Sequence, residues 1–147
     1  MREAGQAFQS GKSLPMNIEK VKIYLTNNWS IIIEADFERK GNGDSWQAYK
    51  AEQIVYISTM TIKDKNNNNI PAETIRDTTT KPPSGQKQFS FEDKRKLGAA
   101  ELKHDKKSWQ LNAFMCTNGN LAICVINFND ENHLDWALEV WKSLSQD

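Results

Sequence analysis

SWQLNAFMCTNGNLAICVINF, residues 108–128, sets a turn signal between two apolar runs. Asn118-Gly119 is a pair that tolerates the positive φ of a type I′ turn, so it predicts a hairpin with Thr117 opposite Asn120. Counting outward, Met115 meets Ala122, Ala113 meets Cys124, Leu111 meets Ile126 and Trp109 meets Phe128. All eight are apolar. Residues opposite one another in an antiparallel pair share one side of the sheet, so these eight mark a buried face. The reverse face is mixed, with Asn112 against Val125 and Gln110 against Asn127. It turns apolar only near the tip, where Phe114 meets Ile123 and Cys116 meets Leu121.

Upstream, a two-residue turn at Asp105-Lys106 would set Leu102 against Trp109, Ala100 against Leu111 and Gly98 against Ala113. The apolar face then runs unbroken over a three-strand meander, near 97–104, 107–117 and 120–128, and two turns agree on it. Near the N-terminus, EKVKIYLT and SIIIEADF flank Asn27-Asn28-Trp29. A three-residue loop there pairs Leu25 with Ile31, Ile23 with Ile33 and Val21 with Ala35, making one clean apolar face and leaving Trp29 in the turn. WQAYK (46–50) reads as a short strand, QIVYISTMTIK (53–63) as a stronger one rich in β-branched residues, and QFSFE (88–92) as another. IPAETI (70–75) reads as an edge strand, because Pro71 argues against a central one. RDTTTKPPSGQK (76–87) has no periodicity and reads as the longest loop.

The chain closes with a predicted helix over 130–145, capped by Asn129 or Asp130. At 100° per residue, Leu134, Ala137, Leu138, Val140, Trp141 and Leu144 share a broad stripe, and Trp136 falls beside it near Glu139 and Ser143. Gly98, Ala100, Ala113, Ala122 and Cys124 form a trough of small side chains on the buried face. A helix bearing Leu138 and Trp141 fits over it. The fold class expected is therefore α+β: an antiparallel sheet of about six or seven strands with the C-terminal helix packed on one face. Residues 1–16 read as a polar N-terminal tail and 17–147 as a single domain.

Composition narrows the functional classes. With 19 acidic and 19 basic residues the formal charge is zero, so no net field recruits nucleic acid or a membrane surface. No apolar run approaches the length that spans a bilayer, and MREAGQAFQSGKSLP contains no signal-like apolar segment. A cytoplasmic protein is expected. The two cysteines are too few for a disulfide framework, and the register puts Cys116 and Cys124 on opposite sides of the sheet.

Chemistry-bearing motifs are sparse. His104 lies at the far end of the meander from Cys116 and on the other face, which argues against a Cys–His dyad. His133 falls in the first turn of the closing helix, where a solvated or capping role is expected. The chain contains no HExxH, CxxC, GxGxxG or Walker-type motif, so neither catalytic residues, metal ligands nor a cofactor site are expected. Glu34, Asp36 and Glu38 alternate and read as one acidic strip on a strand, suited to docking a partner. Of the five tryptophans, Trp109 and Trp141 read as core. Trp29 and Trp136, displaced from apolar stripes, join Glu34, Asp36 and Glu38 as candidate contacts for a partner protein.

The segment KLGAAELKHDKKSWQLNAFMCTNGNLAICVINFNDENHLDWALEVWKSL (96–144) resembles the C-terminal half of PsbP-like domains. There a small-residue strand leads through two antiparallel strands to a closing helix with a late Ser-Leu or Ser-Phe. The same features resemble small bacterial immunity proteins, compact α+β chains that neutralise a toxin by binding it. These resemblances imply a non-catalytic protein whose partner is another protein, such as a toxin or secreted effector. A second class, a carrier of a small apolar ligand or an enzyme with a pocket between sheet and helix, would show a cavity lined by Trp109 and Met115.

Overall fold

The computed structural model describes residues 18–26, 28–80 and 87–146, so the 1–16 tail and residues 81–86 of the 76–87 loop lie outside the described residues, while 76–79 belong to a helix. The elements in chain order are β1 (Lys20–Tyr24), β2 (Trp29–Glu34), β3 (Glu38–Asn42), β4 (Ser45–Lys50), β5 (Gln53–Thr61), α1 (Ala72–Thr79) and β6 (Lys87–Glu92). They continue with β7 (Leu97–Asp105), β8 (Ser108–Thr117), β9 (Asn120–Phe128), α2 (Leu134–Ser143) and β10 (Ser145–Gln146). One antiparallel sheet runs β3-β4-β5-β9-β8-β7-β6, and a smaller one runs β10-β2-β1. The class is α+β, but more sheet-dominated than the sequence suggests. The described residues form two sheets where one was expected, and two α-helices.

The meander carries the expected pairing from Thr117↔Asn120 out to Trp109↔Phe128. Its turn differs in kind. Gly119 has φ +79°, whereas Asn118 is not among the residues with positive φ, which is the type II pattern rather than I′. The Asn118 side chain is used elsewhere. Its oxygen accepts the Ala72 N–H at 2.8 Å, capping α1, whose own N-cap is Pro71. The loop 62–70 grips the same turn, through Ile62 N–H to the Gly119 carbonyl and Gly119 N–H to that of Ile70.

Two registers differ from expectation, each by two residues. The β7–β8 turn is Lys106-Lys107, with Lys106 at φ +53°, so Leu102 faces Leu111 and Ala100 faces Ala113. The β1–β2 pair sets Ile23 against Ile31 and Val21 against Ile33. Its loop spans 25–28, stapled by the Thr26 hydroxyl, which accepts the N–H groups of Asn28 and Trp29. The Leu25 N–H donates to the Trp29 carbonyl at 2.8 Å, so the turn sits one residue earlier than expected and Trp29 joins β2, on the side of Ile31 and Ile33, where it is 2% exposed. A slip of two residues keeps every side chain on its face, so the apolar faces survive both corrections.

IPAETI is not an edge strand. Ala72–Thr79 is a helix, begun at Pro71, a residue suited to helix starts because its missing N–H costs nothing there. Its Ala72 and Ile75 pack with Leu97, Phe114, Cys116 and Leu121 on the outer side of the large sheet. On the inner side, α2 and the small sheet share the main core. Trp29, Ile31 and Ile33 of β2 and Ala137, Val140 and Trp141 of α2 join Val55, Leu111, Met115, Cys124 and Ile126. Trp141 is fully buried, and its indole N–H donates to the Phe114 carbonyl at 2.9 Å. The trough is what permits this contact. A Cβ on Gly98 would lie 2.5 Å from that oxygen, 2.9 Å from Met115 Sδ and 3.2 Å from the Trp141 ring.

Candidate functional site

The five residues singled out from sequence do not form one surface. Glu34 ends β2, Asp36 lies in the following turn and Glu38 begins β3 in the other sheet, so the acidic strip on one strand does not exist. The chain leaves the small sheet at Phe37, which is buried, and the turn around it becomes a corner joining three elements. Trp136 of α2 stacks on Phe37 with ring centroids 5.7 Å apart and planes 11° from parallel. Its indole N–H donates to Glu34 Oε1 at 3.0 Å. Asp36 pairs with Lys50 at 2.6 Å, and the same ammonium stands 5.8 Å from the Phe37 ring. Glu34, Asp36 and Trp136 thus meet at this corner, where their partners are one another's neighbours. Trp29 lies in the core. Trp46 is half-buried against Gly41 and Ile57.

The accessible feature is the outer face of the large sheet. α1 covers only the end formed by Leu97, Phe114, Cys116 and Leu121. Beyond it the ladder brings Tyr56 beside Val125, Tyr49 beside Ile54, and Ile123 beside Ser58. Tyr49, Tyr56, Met60 and Ile123 are all exposed, Tyr56 by 41%. Glu38, paired with Tyr49, stands at the rim of this face. A row of amides crosses its centre: Gln110 Nε2 donates to Asn127 Oδ1 at 3.0 Å, and Asn112 Nδ2 donates to Gln110 Oε1 at 2.9 Å. Along the foot of α1 runs an open cleft of about 310 Å³, lined by Thr79, Ala99, Asn112, Phe114, Ile123 and Val125. It offers amide and hydroxyl groups over an apolar floor, with Glu101 and Lys103 also in its lining, which suits orientation of a ligand by hydrogen bonds.

The interior between sheet and α2 is occupied by the Trp141 ring, Met115 and Leu144, each fully buried. Trp109 packs half-buried against this core, in the middle of an aromatic stack between His104 at 4.1 Å and Phe128 at 6.3 Å. His104 also holds the Lys106 carbonyl through Nε2 at 2.9 Å. His133 does not cap α2. Asp130 accepts the Asn132 N–H instead, and His133 Nδ1 is buried without a hydrogen-bond partner.

Both cysteines are free and buried on opposite faces. Burial pushes the Cys124 thiol up to about 12 and raises that of Cys116, whose S–H contacts the carbonyls of Ala72 and Leu97 at 3.4 Å. Neither is a poised nucleophile, since the thiolate is what reacts. Among the described residues no group of three or more His, Cys, Asp and Glu side chains could hold a metal ion, and no helix is long and apolar enough to cross a membrane.

Sequence reasoning missed Lys96. It is buried, and its ammonium donates to the carbonyls of Lys142 and Leu144, each at 2.6 Å, and to the Ser145 hydroxyl at 3.0 Å. A cation on the last carbonyls of α2 satisfies acceptors that the helix leaves open. Burial lowers its pKa, and the neighbouring Asp93 carboxylate opposes that shift. Asp93 builds the turn that delivers the lysine. Its carboxylate accepts the N–H groups of Arg95 at 2.7 Å and Lys96 at 2.9 Å, and those bonds lower its pKa. Asp three residues before Lys was the available sign, but that spacing is common to ordinary turns. Comparison with protein-family models and with curated proteins finds no match to this chain.

Proposed function

We propose that the chain is a non-enzymatic binding protein that occludes another protein, as an immunity-like inhibitor or a secretion-linked chaperone does. The observation that carries this reading is the outer face of the seven-stranded sheet, left half-covered by α1 with Tyr49, Tyr56, Met60 and Ile123 exposed together. Tyrosine supplies large, rigid contact area with a polar tip, and the amide row beside it gives hydrogen bonds for register. The partner is a polypeptide that lays an apolar segment across Tyr56, Val125 and Ile123, with Glu38 at its margin. The Glu34, Asp36 and Trp136 corner supports this face from behind by fixing β3 against α2. Two reduced thiols in dry surroundings suit a reducing, cytoplasmic setting.

The test uses extract of the native host and three baits: the wild type, a Tyr56→Arg/Ile123→Arg variant and Trp136→Ala. Both arginines fall on exposed positions, so the double variant should melt like the wild type. The reading expects a polypeptide retained by the wild type, bound directly when purified, and lost with the double variant. Trp136→Ala should weaken retention less than the double variant does. Retention of nothing by the wild type, or equal retention by the double variant, counts against it.

A further inference from the structure

We infer that β6 is a self-pairing edge through which two copies of this chain join their large sheets. A sheet edge presents a row of unpaired N–H and C=O groups, and natural proteins protect such edges with charge, above all lysine. Two long edges here follow that rule. β1, at one side of the small sheet, carries Lys20 and Lys22 in KVKIY, and β3, at one end of the large sheet, carries Arg39 and Lys40 in ERKGN. Paired with its own copy, either strand would set like charges against each other or close together. Among the described residues the remaining long edge is β6, which reads KQFSFE and has no charge between its ends.

The order of residues in β6 is also self-complementary. A two-fold axis perpendicular to the sheet through Ser90 keeps inner and outer faces matched, and it fixes the register. Ser90 meets Ser90 of the second copy, Phe89 meets Phe91, and Gln88 meets Glu92. One step further, Lys87 comes beside Asp93, which pairs opposite charges. Phe89 and Phe91 lie on the inner side, opposite Ala100 and Gly98 of β7, and each is only half-buried within one chain. Cross-strand Phe89–Phe91 pairs would cover that remaining surface twice over, once on each side of the axis. Shifting the register by two sets Phe89 against itself but places Lys87 opposite Phe91 and forfeits the Lys87–Asp93 match. An isologous contact of this kind closes at two copies, because each chain has one such edge. It stands independently of the docking face, since both outer faces remain open on the same side of the joined sheet.

Sedimentation equilibrium on the full chain, with Ser90→Lys and Ser90→Cys, tests the inference. Ser90 is exposed, so both variants should keep the wild-type melt. A strand pair of this length predicts a modest contact, so the wild type should pass from monomer to dimer mass by about 500 µM, where a Kd of ~10 µM is mostly saturated. Ser90→Lys places two ammonium groups on the axis and should weaken the dimer by about tenfold or more. Under mild oxidation Ser90→Cys should give a reducible covalent dimer, whereas Ser58→Cys, exposed at the middle of the outer face, should not. The two native thiols are buried and do not compete. A wild type that stays monomeric at the highest concentration overturns the inference, and so does a dimer that Ser90→Lys leaves unchanged.

Discussion

The two faces of the large sheet are built from the same strands, yet they are finished differently. On the inner face Leu111, Met115, Cys124, Ile126 and Trp141 have lost all contact with water beneath α2 and the small sheet. On the outer face α1, only eight residues long, seals Cys116 and Leu121 and stops there. Beyond it the surface alternates tyrosine, aliphatic and amide groups at intermediate or full exposure. One face is therefore committed to stability. The other can be changed at little cost to the fold, which is the property a binding surface requires.

That contrast can be broken most directly at its tightest point. Trp141→Ala should destabilise the protein by about 3–5 kcal/mol, because it empties a fully buried site and leaves the Phe114 carbonyl without its indole donor. Chemical denaturation measures it, and a melt unchanged by the mutation would remove α2 from the core. Gly98→Ala adds one methyl group where the backbone of β8 and the Met115 side chain already stand, so about 1–3 kcal/mol is expected. Lys96→Met keeps the stem of the side chain but strips the donors from the end of α2. A loss of about 1–3 kcal/mol should follow, with faster amide exchange at Ser145 and Gln146.

At the corner, Trp136→Phe retains an aromatic ring over Phe37 and removes the hydrogen bond to Glu34. About 0.5–1.5 kcal/mol should be lost, and Glu34→Gln should change little further in the Trp136→Phe background. The smallest effect belongs to the outer face: Tyr56→Ser should stay within about 0.5 kcal/mol of the wild type. If Tyr56→Ser cost as much as Gly98→Ala, the two faces would not differ in the way described.

Much of the sheet was legible because strands repeat every two residues. The Asn118-Gly119 turn, the pairing of β8 with β9 and the opposite placement of the two cysteines all follow from that alternation and one strong turn signal. The β1–β2 and β7–β8 registers were each misplaced by two residues. A shift of two leaves the pattern of faces identical, so alternation cannot detect it. What decided the β1–β2 register was a local competitor, the Thr26 hydroxyl capturing two backbone N–H groups. β3 was not legible because ERKGN buries too little to show a pattern, and α1 was hidden because two apolar residues carry its packing.

The candidate site shows the same division. By angle Trp136 falls beside the α2 stripe, yet it packs half-buried against the main core as Leu134 and Leu138 do, and angle alone could not reveal Phe37 and Glu34 beneath it. Trp29 left the surface once its turn moved one residue toward the N-terminus, which shifts the register by two.

By itself, then, the sequence determined parity: which residues lie on the inner side of the meander, which face of α2 is apolar, and that the thiols cannot meet. These are local periodicities, set by backbone geometry within a few residues. Only the tertiary structure decided which elements cover each face. That choice depends on contacts between residues far apart in the chain, such as Lys96 with the end of α2 and Asn118 with the start of α1, where no periodicity applies. The open outer face is a consequence of that choice, left over once α2 and the small sheet had gone to the inner side.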